Sequence, residues 1–423
     1  MAKIVIATIG TSGDLNPYLA IGIELKKRGH HITIASSPQY AQKVISSSLN
    51  FSSLRPDIDY NDPALALLTM NRFNGTEYVL KEMLMKPISE TYEDLLKAVD
   101  GANLLVSHSL CFAGSMVAEI TRIPWISSVL SPNNFWSCYD PIVLPNAPFF
   151  RHLHRLGISI NERIISLAKF ATRDWADSVY QLRNKIGLPK GENPLFEGMH
   201  SPHAVIALFS DVFAKNKPDW PQQVVSTGFP IFYETFNKHD SDILGNFLNK
   251  GEPPIVFTLG TAAVLDANNF YEDGLKACKE LGQRAILLTG TQKRNIPESL
   301  GSTDDVLQID YAPYSDVFKH AKVVVHHGGI GTTAQVLHAG CPSLVVPYSH
   351  DQPDNADRLL RLGCARVEYR HRITHSVLKK NLQKLINNPS YGQAAKLLQQ
   401  QINHENGAIA AADFIEIKLE ESN

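Results

Sequence analysis

Residues Lys3 to Ile9 form an unbroken β-favouring run with no polar alternation, the pattern of a strand covered on both faces in a parallel sheet. A glycine loop follows. The stretch "GTSGDLNPYLAIGIELKKRGHHITIASS" then places apolar residues at Leu15, Leu19 and Ile23 of a helix starting near Leu15, a stop at Gly29, and a second strand at His31 to Ala35. This is a strand–helix–strand unit. The alternation continues in "GANLLVSHS", "IPWISSVLS" and "HAVIALFS", each an apolar strand ending in small polar residues, so this half is α/β.

After "VVSTGFPIFYETFNKHD" the opening phrase restarts as "PPIVFTLGTAAVLD": apolar strand, glycine, small hydroxyl residue, helix. Further strands are expected at Arg284 to Leu288, Val306 to Ile309, Lys322 to Val325 and Ser343 to Val346. The pattern predicts two Rossmann-like parallel-sheet domains, 1–230 and 231–423, joined near Gly228 to Asp242. The helical stretch Ser390 to Glu421 has no strand left to pair with, and its expected place is back across the N-terminal domain.

One stretch breaks the regularity. "NNFWSCYDPIVLPNAPFFRHLHRLGISINERIISLAKF" is aromatic, proline-bearing and locally basic. It has two readings: an ordinary loop and helix packed on the sheet, or a surface in which Phe149, Phe150, Arg151, His152 and Arg155 meet a lipid or apolar substrate.

Composition narrows the chemistry. The chain has 423 residues with 40 Lys+Arg against 42 Asp+Glu, a formal net charge of -2, so no global field recruits nucleic acid or an anionic membrane. Phosphate binding must then be local. The five cysteines (Cys111, Cys138, Cys278, Cys341 and Cys364) are scattered with no CxxC pair, which fits a reducing cytoplasm and neither a disulfide framework nor a zinc ribbon. The opening apolar run is too short for the core of a signal peptide, and no segment approaches the roughly 18 apolar residues of a membrane span.

The candidate chemistry centres on "VVVHHGGIGTTAQVLHAG", Val323 to Gly340. Successive side chains of a strand point to opposite faces, so His326 and His327 cannot easily grip one metal ion, and no HExxH or other spaced ligand set accompanies them. The glycines of "GGIG" let the backbone approach a ligand, and Thr332 or Thr333 is positioned to cap the helix that starts there. Free amides, the positive end of a helix dipole and an imidazole converge on a point suited to a phosphate. On the loop after the next strand, "HDQPDNADRL" adds Asp351 and Gln352. A carboxylate accepts two vicinal hydroxyls and an amide donates and accepts, which is the chemistry of sugar recognition; alone, Asp351 is equally readable as a helix N-cap. Together the two sites imply a nucleotide sugar.

"YAPYSDVF" at Tyr311 to Phe318, "HHGGIGTT", "GCP" at Gly340 to Pro342 and "HDQ" resemble the donor signature of family 1 glycosyltransferases, and "GTSGDLNPYLAIGIELKKRGHHIT" resembles the acceptor-domain opening of bacterial sterol, macrolide and glycopeptide members. The stretch from Met199 to Glu234 and "RLLRLGCA" look closest to the rhamnosyltransferase subunit of rhamnolipid synthesis. The resemblance covers nearly the whole sequence and implies the GT-B fold: two domains facing across a cleft, donor in the C-terminal one, acceptor in the N-terminal one. It also implies an inverting reaction that needs no metal or other cofactor.

Carried over by position, the resemblance assigns His327, with Gly328, Gly329, Gly331 and Thr332, to the diphosphate, His326 assisting or facing the sheet. Gly260 and Thr261 complete the cradle, and Tyr311 and Pro313 lie near the nucleobase. Asp351 and Gln352 hold the sugar. Gln335 stands where relatives commonly have a ribose-binding glutamate, which leaves dTDP-rhamnose as open as UDP-glucose. Asp14 occupies the place of the catalytic base, the alternative being a helix cap, and His108 either assists it or is a satisfied core residue. Phe135, Trp136, Phe149 and Phe150 suggest an apolar hydroxylated acceptor such as a lipid, sterol or polyphenol. The competing expectations are a silent activator partner that has kept the fold and a non-hydrolysing sugar-nucleotide epimerase. The expected location is cytoplasmic, with transient contact at the inner membrane face; the oligomeric state is open.

Overall fold

The structure is a computed structural model that describes residues 1–234, 238–301 and 304–421. Residues 235–237 of the expected junction and the side chain of Arg155 lie outside the described residues.

Seven strands build the first sheet: β1 (Lys3–Ala7), β2 (His31–Ser36), β3 (Asn50–Ser53), β4 (Leu104–His108), β5 (Trp125–Val129), β6 (Val205–Ala207) and β7 (Val224–Ser226). Six build the second: β8 (Ile255–Thr258), β9 (Ala285–Leu288), β10 (Val306–Ile309), β11 (Val323–His326), β12 (Ser343–Val345) and β13 (Ala365–Val367). Their orders are β3-β2-β1-β4-β5-β6-β7 and β10-β9-β8-β11-β12-β13, with every pairing parallel. In each sheet the order reverses once, between β1 and β4 and between β8 and β11. A crevice opens at such a switch point, outside the carboxyl ends of the strands, and this is where doubly wound sheets bind ligands. At these points stand Asp14 in the first turn of the helix after β1, His108 at the end of β4, Gly260 after β8 and His327 after β11.

Four helices matter for the site: α1 (Ser12–Lys27) after β1, α2 (Ile330–Ala339) after β11, α3 (Gln352–Arg361) after β12, and the last helix, α4 (Gly407–Glu421). Helix α4 returns to the first sheet, where Ala411, Ala412, Ile415 and Leu419 join Leu15, Tyr18 and Leu19 in one core. Arg28 fastens it through Asp413 at 2.6 Å and Glu416 at 2.7 Å. The returning chain passes the outgoing linker so closely at Gly407 that a Cβ there would lie 2.4 Å from the Phe229 carbonyl carbon. Only glycine fits this crossing.

The domains also meet beside the cleft. Ala66 and Met70, in and just after the helix Pro63–Thr69, are buried in the core of the second domain. Arg358 of α3 is buried between Asp354 at 2.8 Å and Asp140 of the first domain at 2.5 Å, while Asp354 also accepts the Val143 amide at 3.1 Å. With each charge partnered, the network ties α3 to the first domain. Among the described residues no helix is long and apolar enough to cross a membrane, and all five cysteines are buried and free.

Candidate active site

The β11–α2 turn is built around His327. Its imidazole lies between two glycines: a Cβ on Gly260 would stand 2.6 Å from Cε1, and one on Gly329 would stand 2.5 Å from Nε2. Gly328, at φ +90°, turns the chain where a side chain would strike Val345 at 2.8 Å. These glycines make room for the ring. Burial pushes the His327 pKa down to about 4, so the imidazole is neutral near pH 7 and acts as a hydrogen-bond donor rather than a cation. Its Nδ1 is buried with no partner among the described residues. An unpaired lone pair there costs less than an unpaired N–H, which favours the tautomer with the proton on Nε2.

Helix α2 begins at this ring with Gly329 in the cap position and no side-chain cap. Neither Thr332 nor Thr333 is the cap expected from the sequence: Thr332 lies buried inside the first turn, and Thr333 bonds the Gly328 carbonyl at 3.4 Å. The amides of Gly331 and Thr332 therefore start the helix without an internal acceptor, while that of Ile330 meets the Asp351 carboxylate. His326 corrects the donor-binding expectation. It is 0% exposed, and its Nδ1 accepts the Gly328 amide at 3.2 Å, so it shapes the turn from inside.

The neighbouring β12–α3 loop brings Asp351 to the same edge. Asp351 occupies the cap position of α3, yet its side chain bonds no amide of that helix and turns instead to the Ile330 amide at the start of α2. One oxygen accepts from the Asn355 amide at 2.6 Å. Burial, with a smaller push from Asp14 across the cleft, raises its pKa to about 7. Gln352 is committed elsewhere: its Oε1 accepts the amides of Tyr348 at 2.8 Å and Ser349 at 3.2 Å, and its Nε2 meets the Met70 sulfur at 4.0 Å. Its amide oxygen thus holds the loop rather than accepting from a sugar hydroxyl.

From the first domain, α1 points its N-terminus at α2. A Cβ on Gly331 would lie 3.7 Å from the Gly13 oxygen, a carbonyl that Pro17 cannot bond because it lacks an N–H. Thr11, rather than Asp14, is the cap residue, and the helix starts at Ser12, three residues before the expected point. Asp14 completes a capping box, its Oδ2 accepting the Thr11 amide at 2.7 Å and the Thr11 hydroxyl at 3.0 Å. Its Oδ1 has no partner among the described residues. His108 is buried against the Tyr18 ring at 5.8 Å, with Nδ1 3.3 Å from the Ile9 carbonyl oxygen. It makes no hydrogen bond to Asp14, so the expected relay is not formed, although Asp14 acts on it electrostatically.

The remaining expected residues scatter. Thr261 and Tyr311 are exposed, Tyr311 at 51%, Pro313 is buried, and Gln335 is half-buried on α2. The acceptor expectation needs correction at Phe135, which is only 7% exposed and stacks on Trp220 at 4.1 Å as part of the core. Trp136 and Phe150 line an apolar cavity of about 30 Å³, room for a water or two and far too small for an acceptor. Phe149 is 66% exposed. Arg151 pairs with Asp357 at 3.6 Å. Sequence reasoning missed Asn355 and Ser131, described below, and the Arg358 network.

Known proteins fit this picture. Residues 4–133 match the glycosyltransferase family 28 N-terminal domain, and residues 277–411 match the erythromycin biosynthesis protein CIII-like C-terminal domain. The chain is 26% identical to the O-mycaminosyltylonolide 6-deoxyallosyltransferase of Streptomyces fradiae, covering 98% of this chain and 97% of that one. It is 25% identical to a sterol 3-beta-glucosyltransferase of Leptosphaeria maculans over 99% of this chain but 29% of that longer protein. Among solved structures, the glycotransferase of kitacinnamycin superposes with a TM-score of 0.73 at 19% identity, covering 99% of both chains. Glycosyltransferase VinC in complex with dTDP gives 0.70 at 19% identity, covering 99% of this chain and 100% of that one. The spinosyn rhamnosyltransferase SpnG complexed with thymidine diphosphate gives 0.69 at 15% identity, covering 98% and 100%. With matching family domains in both halves, full-length relatives and two parallel sheets facing across a cleft, the chain belongs to the glycosyltransferases of GT-B fold, enzymes that use nucleotide sugars.

Proposed function

We propose that this enzyme moves a hexose from a UDP- or dTDP-sugar to a hydroxyl of an apolar small molecule or lipid, inverting the anomeric centre and using no metal. The diphosphate sits against His327 Nε2–H and the Gly331 and Thr332 amides of α2, with Gly260 and Thr261 closing the cradle and Tyr311 and Pro313 beside the base. Asp351 accepts hydrogen bonds from sugar hydroxyls. Asp14 takes the acceptor proton through its free Oδ1 as the acceptor oxygen attacks the anomeric carbon. The bond to the diphosphate breaks on the opposite side, and attack from that side inverts the centre. Charge building on the leaving group meets preorganised donors, each worth about 2.7–4 kcal/mol in comparable sites.

What carries this reading is the opposition of two helix starts across one cleft, one bearing a carboxylate and the other an uncapped amide cluster with a neutral imidazole. The thymidine diphosphate complexes among the structural relatives support a dTDP-sugar, and the neutral amide of Gln335 is compatible with either nucleotide. Relatives named for macrolide and sterol substrates support an apolar acceptor.

The test is nucleotide release from UDP-glucose and dTDP-rhamnose, with and without a panel of sterols, macrolactones, phenols and hydroxylated lipids, each repeated with chelator. Acceptor-dependent release that ignores the chelator is expected. No acceptor-dependent release from either donor, or release abolished by the chelator, contradicts the proposal.

A further inference from the structure

Asn355 is 0% exposed and uses its whole amide. Its Nδ2 donates to Asp351 Oδ2 at 2.6 Å and to the Gly328 carbonyl at 3.0 Å, while its Oδ1 accepts the Ser131 hydroxyl at 3.1 Å. Gly328 belongs to the turn that carries His327, and Asp351 to the loop facing the sugar. Ser131 belongs to the other domain, two residues beyond the end of β5. One buried side chain thus touches both donor loops and the opposing domain. An amide is asymmetric: were it rotated by 180°, its NH2 would face the Ser131 hydroxyl and its oxygen would face the Gly328 carbonyl and the Asp351 carboxylate, two acceptors. The Gly328 carbonyl, an acceptor only, therefore selects the orientation that serves Asp351, and the Ser131 hydroxyl anchors the amide oxygen from the other domain.

We propose that Asn355 is a positioning residue that couples seating of the first domain to the grip on the donor sugar, with Ser131 anchoring its amide oxygen and the amide holding Asp351 toward the cleft. This rests on the reading that Asp351 accepts sugar hydroxyls. The carboxylate is the accepting form, so donor affinity falls as pH drops through the Asp351 value of about 7. Burial opposes that ionisation most, and the residue's own backbone amide favours it. Asp14 on α1 opposes the charge, the Asn355 amide favours it, and the amide of Ile330 on α2 favours it too. His327 and His350, on adjoining turns, are both depressed to about 4 and stay neutral in this range. Removing the Asn355 bond raises the value further.

The experiment measures, from pH 5.5 to 8.5, the ratio of the Kd for UDP-glucose to that for UDP, and of dTDP-rhamnose to dTDP, which isolates the sugar's contribution. The expected result is a midpoint near 7 in the wild type that moves up by half a pH unit or more in Asn355→Ala. Ser131→Ala should move it the same way by less, and Ser131→Thr should restore it. A midpoint that vanishes in Asp351→Asn yet stays put in Asn355→Ala overturns this proposal alone. A wild-type profile indistinguishable from that of Asp351→Asn removes the sugar-binding reading and this proposal with it. If Asn355→Ala does not fold, the Ser131 pair decides: a shift rescued by threonine supports the coupling, and no shift overturns it.

Discussion

The β1–α1 and β11–α2 turns are the same device used in opposite ways. Each follows the strand at its sheet's switch point, each contains glycines, and each aims a helix N-terminus into the cleft. The first is closed on itself, because Thr11 and Asp14 form a capping box and the Asp14 carboxylate already answers the helix dipole. The second has no side-chain cap, and an imidazole stands where a cap would be. An anion is repelled by the first and welcomed by the second. On the proposed reading the diphosphate goes to the helix start that has no side-chain cap, and the carboxylate that closes the other helix serves as base on its unbonded oxygen.

Substitutions can break or sharpen this contrast. The largest effect is expected from Asp14→Asn, which keeps an oxygen for the capping box but removes the base; turnover should fall by about 10²–10⁴ in steady-state assays, the usual contribution of a positioned base. A smaller effect should follow from making the second turn resemble the first. Gly329→Ser supplies a side-chain cap to α2 and puts a Cβ 2.5 Å from His327 Nε2, so the ring must move. Diphosphate affinity should drop roughly 10-fold or more by calorimetry, as expected for loss of a hydrogen bond to a charged group. The smallest is Thr11→Ala, which opens the first turn by removing its cap hydroxyl. It should cost about 0.5–2 kcal/mol of stability by denaturant titration, with no gain in diphosphate affinity while Asp14 remains.

The sequence exposed what is local. The run into "HHGG" displays a strand, a turn needing positive φ at Gly328 and a helix within a dozen residues, and it leads straight to the switch point. Strands β3 and β13 were not legible, since "NFSS" and "ARV" are short and partly polar and gain their place only by pairing with β2 and β12. Phe135 reads as a binding aromatic until its partner appears, and Trp220 lies far along the chain. Asn355 could have been found in part. It stands four residues after Asp351, one helical turn on the same face, but Ser131 is 224 positions away and nothing local announces it. Gln352 shows the converse: a residue chosen for sugar chemistry has its amide oxygen taken by two backbone amides.

The most direct measurement is a calorimetric titration of UDP and dTDP into the wild type, His327→Ala and Asp14→Asn under one set of conditions. For the better-bound nucleotide, Kd should weaken by about 10-fold or more in His327→Ala, the scale of one hydrogen bond to a charged group, and stay within about twofold of wild type in Asp14→Asn. Unchanged affinity in His327→Ala, or a loss in Asp14→Asn as large as the one expected for His327→Ala, would contradict the division of labour between the two turns.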